Sequence, residues 1–150
     1  MPVTHTVGDL FTLGLPALAH GCNTRGSMAG GIAREFERRW PAMARAYRRA
    51  CEAGEYRLGD VLPWEEDGVV VYNLATQEDW GADARLEAVG STVRAALADA
   101  AARGLPRLGV PRIGAGIGGL PWPDVRDVLD RAGQESPVEL VVVSRPRSAG

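Results

Sequence analysis

Lysine is missing from this chain of 150 residues: all 17 of its basic residues are arginine. No reaction that runs through a lysyl covalent intermediate is therefore open to it. Cysteine is nearly missing as well. Cys22 and Cys51 make no disulfide framework, and no C-x-x-C or His/Cys cluster suggests a metal. Long apolar runs are absent: "VELVVVS" is interrupted by Glu139 and falls far below a membrane span. The start, "MPVTHTVGDLF", has no basic segment followed by an apolar run, so no signal peptide is read there. A formal net charge of -2 gives no broad positive field toward nucleic acid or membrane. These absences lead us to expect a cytoplasmic protein without metal, cofactor or membrane partner.

What remains is an ordinary globular mixture of a length that suits one domain, taken as residues 1–150 with a frayed tail from about residue 145. Three short apolar runs read as buried strands: Leu15 to Cys22, Gly68 to Ala75 and Val138 to Ser144. "RLGVPRI", Arg107 to Ile113, is a fourth, weakened by Pro111. "HTVGDLF" and "GDVLPW" read as edge strands. Between them lie helical stripes. Ile32, Phe36 and Trp40 form one, and Pro41 opens a second that carries Met43, Tyr47 and Cys51. Leu86, Val89, Val93 and Leu97 give a third that ends near Gly104; Val125, Val128 and Leu129 mark a fourth, opened by "PWPD". This alternation predicts an α/β fold, a three-layer α/β/α sandwich around a mixed, mostly parallel sheet.

The stretch "VPRIGAGIGGLPW" fits G-x-G-x-x-G at Gly114, Gly116 and Gly119. A Rossmann fingerprint, however, needs a helix to open at its glycines and a second parallel strand with an acidic end. Here Pro121 and Pro123 follow the glycines, and "LVVVS" ends in Ser144. The NAD-binding reading fails on that context. A second glycine-rich loop, "GCNTRGSMAGGIA", also lies between an apolar strand and an amphipathic helix. Bare backbone amides in such loops make anion nests, and a helix N-terminus adds a favourable dipole. Two of them can grip a diphosphate from both sides, although two unrelated turns would have the same pattern.

Taken together, four segments in order resemble a macrodomain, the ADP-ribose-binding module: "VGDLF", "AHGCNTRGSMAGGIAREF", "VYNLATQ" and "PRIGAGIGGLPW". The resemblance runs over nearly the whole chain and is closest to the branch holding the terminal ADP-ribose protein glycohydrolase and the bacterial DNA-ADP-ribose hydrolases. It implies that Asp9 accepts a hydrogen bond from the adenine amino group, while Leu10 or Ile113 packs on the adenine faces. It assigns the distal ribose and part of the diphosphate to Asn23, Ala29, Gly30, Gly31 and Ile32. Thr76 and Gln77 then reach the distal ribose, and Gly114, Ala115, Gly116, Ile117 and Gly118 hold the diphosphate. Without the resemblance, Asp9 reads first as a turn-forming residue after Gly8.

The chain also departs from that branch. The lysine that attacks the distal ribose aligns at or beside Gln77, and its assisting aspartate aligns with Gly118, so neither group is present. A water-based route remains open, because an ester to Glu or Asp has a carboxylate leaving group that needs little protonation. Asn23 and Gln77 are candidates to orient groups, and Asp79 to act as general base; for Glu78 and Asp79 a solvated loop is the competing reading. His20 and Cys22 share a strand face, which raises a thiol route that spacing alone does not support. Cys51 reads as core and His5 as a surface residue. Trp64, Trp80 and Trp122 could stack on a base or simply pack.

The resemblance thus implies a protein that hydrolyses mono-ADP-ribose from acidic side chains of modified proteins, with ADP-ribosylated nucleic acid as a further target. Two alternatives stay open: a non-catalytic reader of ADP-ribosylated targets, and an O-acetyl-ADP-ribose deacetylase.

Overall fold

Residues 2–146 are described in the computed structural model; the last four positions of the expected tail, 147–150, lie outside the described residues. Strands β1 (Thr4–Val7), β2 (Ala17–Asn23), β3 (Val61–Glu66), β4 (Val69–Gln77), β5 (Arg107–Val110) and β6 (Glu139–Ser144) form one sheet in the order β1-β6-β5-β2-β4-β3. All neighbouring pairs are parallel except the edge pair β3 and β4. Pro63 sits in that edge strand, where a missing N–H leaves no central ladder bond unmade. Pro111 likewise ends β5 at Val110, three residues short of the predicted Ile113. Beyond β1 the predicted edge strand gives way to a 3-10 turn, Leu10–Thr12, capped by the Asp9 side chain.

Helices α1 (Ala33–Arg39) and α2 (Pro41–Glu52) cover one face of the sheet; α3 (Leu86–Ala102) and α4 (Trp122–Gln134) cover the other. Period-two alternation along each strand feeds both layers. Ala17, Ala19, Tyr72, Leu74, Leu140 and Val142 face α3 and α4; Leu18, Cys22, Val71, Ala75, Val141 and Val143 face α1 and α2. With both faces covered, the central strands are near-continuous apolar runs, as a parallel sheet requires. The three-layer α/β/α sandwich with a mixed, mostly parallel sheet is therefore the observed fold. Among the described residues no helix is long and apolar enough to cross a membrane.

Parallel strands have a further consequence. The carboxyl ends of β2, β4, β5 and β6 finish on one edge of the sheet, and the loops that leave them share that edge.

Candidate active-site cleft

Those loops enclose a cleft of about 610 Å³, a size that suits a small-molecule ligand. Its walls are the first loop, residues 24–32 after β2, and the second, residues 111–121 after β5; the two strands are neighbours in the sheet. The loops meet: Ile117 Cδ1 lies 3.1 Å from where a Cβ on Gly30 would stand, and 3.2 Å from that on Gly31.

The first loop hangs from Asn23, which is 8% exposed. Its side-chain oxygen accepts the N–H groups of Arg25 (3.1 Å) and Ser27 (3.2 Å), and its Nδ2 donates to the Ser27 carbonyl (2.9 Å). From beneath, the hydroxyl of Tyr47 on α2 donates to the Asn23 carbonyl at 2.6 Å. Asn23 thus braces the loop it was predicted to serve, with one amide hydrogen left over.

A third segment, residues 78–85, closes the β4 side. Asp83 Oδ2 accepts the N–H groups of Glu78 (3.1 Å) and Asp79 (2.9 Å), and these bonds hold its carboxyl below the usual range. Gln77 Nε2 donates to the carbonyls of Asp79 (2.6 Å) and Gly81 (3.0 Å). The segment is thereby ordered with Trp80 in the cleft wall, its indole 64% exposed.

In the second loop Gly114 has φ +76°, and its carbonyl accepts the Leu120 N–H at 2.9 Å, folding the loop back on itself. A Cβ on Gly118 would stand 2.7 Å from the Gly114 carbonyl oxygen and 2.8 Å from Ala84 Cβ. No side chain fits there, so the vacant aspartate position is a steric requirement of this loop. Among the described residues the N–H groups of Gly116, Ile117 and Gly118, and of Gly30, Gly31 and Ile32, donate to no protein acceptor. Two sets of bare amides border one cleft, the arrangement of an anion nest.

The cleft has little chemistry of its own. Its titratable lining residues, among those described, are Cys22, Arg112 and Arg145. The thiol route fails on burial. Cys22 Sγ lies 3.5 Å from His20 Nε2, but that nitrogen faces Asn73 Oδ1 at 2.7 Å. Asn73 Nδ2 donates to the Leu62 carbonyl, so its oxygen is the acceptor and His20 Nε2 carries the proton. His20 is fully buried and stacked on Phe36 at 3.8 Å, and burial lowers its pKa to about 4. Burial pushes the Cys22 thiol far up. His20 Nδ1, 3.9 Å from Sγ, is left as the acceptor, but an imidazole with so low a pKa is a weak base for a thiol pushed so far up. Thr76, 1% exposed, keeps a buried hydroxyl oxygen with no hydrogen-bond partner.

Asn23, Gly30, Gly31, Ile32, Thr76, Gln77 and the whole run Ile113 to Gly118 line the cleft. Four predicted site residues do not. Asp79 turns outward: one oxygen accepts the Trp80 N–H at 3.0 Å and the other pairs with Arg25 at 3.4 Å. Leu10 is 4% exposed and packs into the α1–α2 layer, because the 3-10 turn points it inward. Ala29 sits behind the first loop, beside a second groove. Asp9 caps the turn by accepting the Phe11 N–H at 2.9 Å, next to Gly8, whose N–H donates to Ser144 at the cleft's β6 end. Cys51 is half-buried against the core, and His5 contacts Asp130 at 2.7 Å on the surface.

Sequence reasoning missed Arg112, Ser144 and Arg145, all of which line the cleft. Arg112 Nε donates to Ser144 Oγ at 2.8 Å, and its guanidinium lies over the Trp122 ring at 4.5 Å. Arg112 and Ser144 are 32 residues apart in the chain, and only the pairing of β5 with β6 brings Arg112 to the pair Ser144 and Arg145.

The Macro domain profile matches residues 19–129. The chain is 32% identical, over 99% of its length, to a DNA ADP-ribosyl glycohydrolase of Mycobacterium tuberculosis, covering 43% of that protein. It is 29% identical to an ADP-ribose 1''-phosphate phosphatase of Candida albicans, covering 85% of this chain and 91% of that one. The solved macrodomain of Mycobacterium tuberculosis DarG superposes with a TM-score of 0.86 at 32% identity, over 97% of this chain and 98% of that one. The chain belongs to the Macro domain family. It spans 36% to 43% of the length of the curated DNA ADP-ribosyl glycohydrolases it matches.

Proposed function

We propose that this chain binds ADP-ribose in the cleft and hydrolyses the bond joining its distal ribose to an acidic side chain of a modified protein, with water as the attacking group. The observation that carries this reading is the facing pair of bare-amide loops on a cleft whose described lining holds no carboxylate, imidazole or amine. Backbone amides suit a diphosphate, and a relative named for ADP-ribosyl hydrolysis is similar over the full chain.

The cleft's own groups decide the chemistry. Without a lysine there is no lysyl nucleophile, and without a carboxylate in the described lining there is no direct carboxylate base. A glycosyl ester asks for neither: its leaving group is a carboxylate, stable as the anion at neutral pH. Positioning a water against the anomeric carbon, with the ligand's own phosphate to orient it, supplies several kcal/mol toward the barrier. Gln77 fixes the third segment and Asn23 the first loop, so both act by holding walls. Asp79, paired outside the cleft, has no part in the step.

A second reading, ADP-ribose linked to nucleic acid, is favoured by the relatives named as DNA ADP-ribosyl glycohydrolases. A base nitrogen leaves more easily with a proton, which the cleft lining does not offer. The experiment is direct: incubate the protein with glutamate-linked ADP-ribosylated protein and with ADP-ribosylated single-stranded DNA, and follow free ADP-ribose. Release from protein supports the first reading, and release from DNA alone supports the second. Tight ADP-ribose binding by calorimetry with no release from either leaves a reader or the O-acetyl-ADP-ribose deacetylase, which a deacetylation assay separates. No binding at all sinks every version.

A further inference from the structure

Formal charge is confined to one corner of the cleft. Among its described lining residues only Arg112 and Arg145 carry it, and both lie where β5 and β6 end side by side. Arg112 is the second residue beyond β5, and Arg145 directly follows Ser144, the last residue of β6. Nine arginines elsewhere on the surface hold carboxylates, Arg48 with Glu37 and Arg103 with Asp99 among them. Neither Arg112 nor Arg145 has a carboxylate partner among the described residues. Two arginines thus line the same end of the cleft without such a partner among the described residues, on a protein of net charge -2.

Arg112 is also pre-ordered. The Trp122 face holds the guanidinium plane, and Ser144 Oγ takes the Nε–H. Its four Nη hydrogens make no hydrogen bond within the described residues, and Ser144 keeps its own hydroxyl hydrogen to donate. A planar fork held in place loses little freedom on binding and matches phosphate oxygens bidentately. The bare amides that suit a diphosphate are elsewhere, in Gly30 to Ile32 and Gly116 to Gly118. The arginine corner instead adjoins Asp9 through the bond from Gly8 N–H to the Ser144 carbonyl.

We propose that the Arg112–Ser144–Arg145 corner is a binding site for a phosphate monoester on the adenosine-side ribose, so that the cleft prefers 2'-phospho-ADP-ribose to ADP-ribose. The inference rests on the reading of the cleft as an ADP-ribose site and adds to it that the adenosine lies at the β6 end, away from the two bare-amide loops. A phosphate dianion there meets two guanidinium groups and one hydroxyl, while the loops keep the diphosphate.

Calorimetry with ADP-ribose and with 2'-phospho-ADP-ribose tests it. The wild-type protein binds the phosphorylated ligand about tenfold tighter at pH 7.5, the scale of one good charge-assisted contact. The preference shrinks at pH 5, where the monoester, with a second pKa of about 6, has lost one charge. In Arg112→Ala and Arg145→Ala the ratio of the two affinities falls toward one; both side chains are on the surface, and thermal melts verify folding. Equal or weaker binding of the phosphorylated ligand by the wild-type protein overturns the proposal. So does an equal loss for both ligands in the variants, which would assign the arginines to the diphosphate. If ADP-ribose itself does not bind, the underlying reading fails, and this site with it.

Discussion

The Tyr47 hydroxyl donates to the Asn23 carbonyl across 2.6 Å, tying the buried face of α2 to the root of the first loop. The same oxygen lies 3.0 Å from the Asn23 side-chain oxygen. Tyr47→Phe keeps the ring and its edge-on contact with Tyr56 but leaves a buried carbonyl without its donor. Stability in urea should fall by about 1–3 kcal/mol, the cost of such an orphan. ADP-ribose affinity should fall with it, because the loop loses its anchor. Unchanged affinity in a destabilised Tyr47→Phe protein would mean that the loop is held well enough by Asn23 alone.

Asn23 itself is a brace, and that shapes its expected kinetics. Asn23→Ala removes the acceptor for two loop N–H groups and the donor to Ser27. Turnover and ADP-ribose affinity should therefore drop by similar factors, on the order of tenfold or more, the scale of two or three lost hydrogen bonds. A variant that binds normally and turns over slowly would restore Asn23 to the chemical step.

Gly118 predicts an asymmetric outcome for grafting the missing catalytic pair. A Cβ there meets backbone at 2.7 Å, so Gly118→Ala should cost about 1–3 kcal/mol as overpacking. Gln77→Lys combined with Gly118→Asp should weaken ADP-ribose binding and bring no new activity. Gln77 also gives up its two loop bonds in that variant. Faster release of ADP-ribose by the double variant would contradict this steric account.

Buried His20 gives a pH signature. Its pKa is lowered from the ordinary 6.5 to about 4, so between those values the unfolded chain binds more protons than the folded one. Its neutral burial is then fully favourable above pH 6.5 and is lost as pH falls toward 4, worth roughly 3 kcal/mol in all. Urea midpoints should drop across that window, with a flatter slope in His20→Gln. Asp83 and Asp99, whose carboxyls are held low by hydrogen bonds, lose their contribution only below their ordinary 3.8. An unchanged slope in His20→Gln would assign the pH dependence to other groups.

Cys22 should be inert. With its thiol pushed up and its imidazole neighbour neutral, iodoacetamide at pH 8 should label the less buried Cys51 well ahead of Cys22 by mass spectrometry. Preferential labelling of Cys22 would reopen the thiol route.

Local pattern and local chemistry were legible because they act over a few residues. The apolar runs gave the strands, and the stripe Leu86, Val89, Val93, Leu97 gave α3. Pro121 and Pro123 showed that the Gly114 loop opens no helix at its glycines, and α4 indeed starts only at Trp122. The two loops that line the cleft were read from their glycines. Direction and partnership were not legible. Asp79 and Trp80 are adjacent in sequence, yet the Arg25 pair and the Asp83 clamp leave the indole in the cleft wall and the carboxylate outside it. Leu10 looked available to a base and is instead core, since nothing local marks which way a 3-10 turn faces.

By itself the sequence determined the layers, the pair of glycine-rich loops and the absence of a lysine nucleophile, because periodicity and composition are properties of the chain. Tertiary structure decided the rest. It set Asn23 to brace its loop, left Gly118 no room for a side chain, and joined Arg112 to Trp122 and Ser144. Those outcomes depend on contacts between segments that only the parallel sheet brings to one edge, and such contacts leave no trace in local spacing.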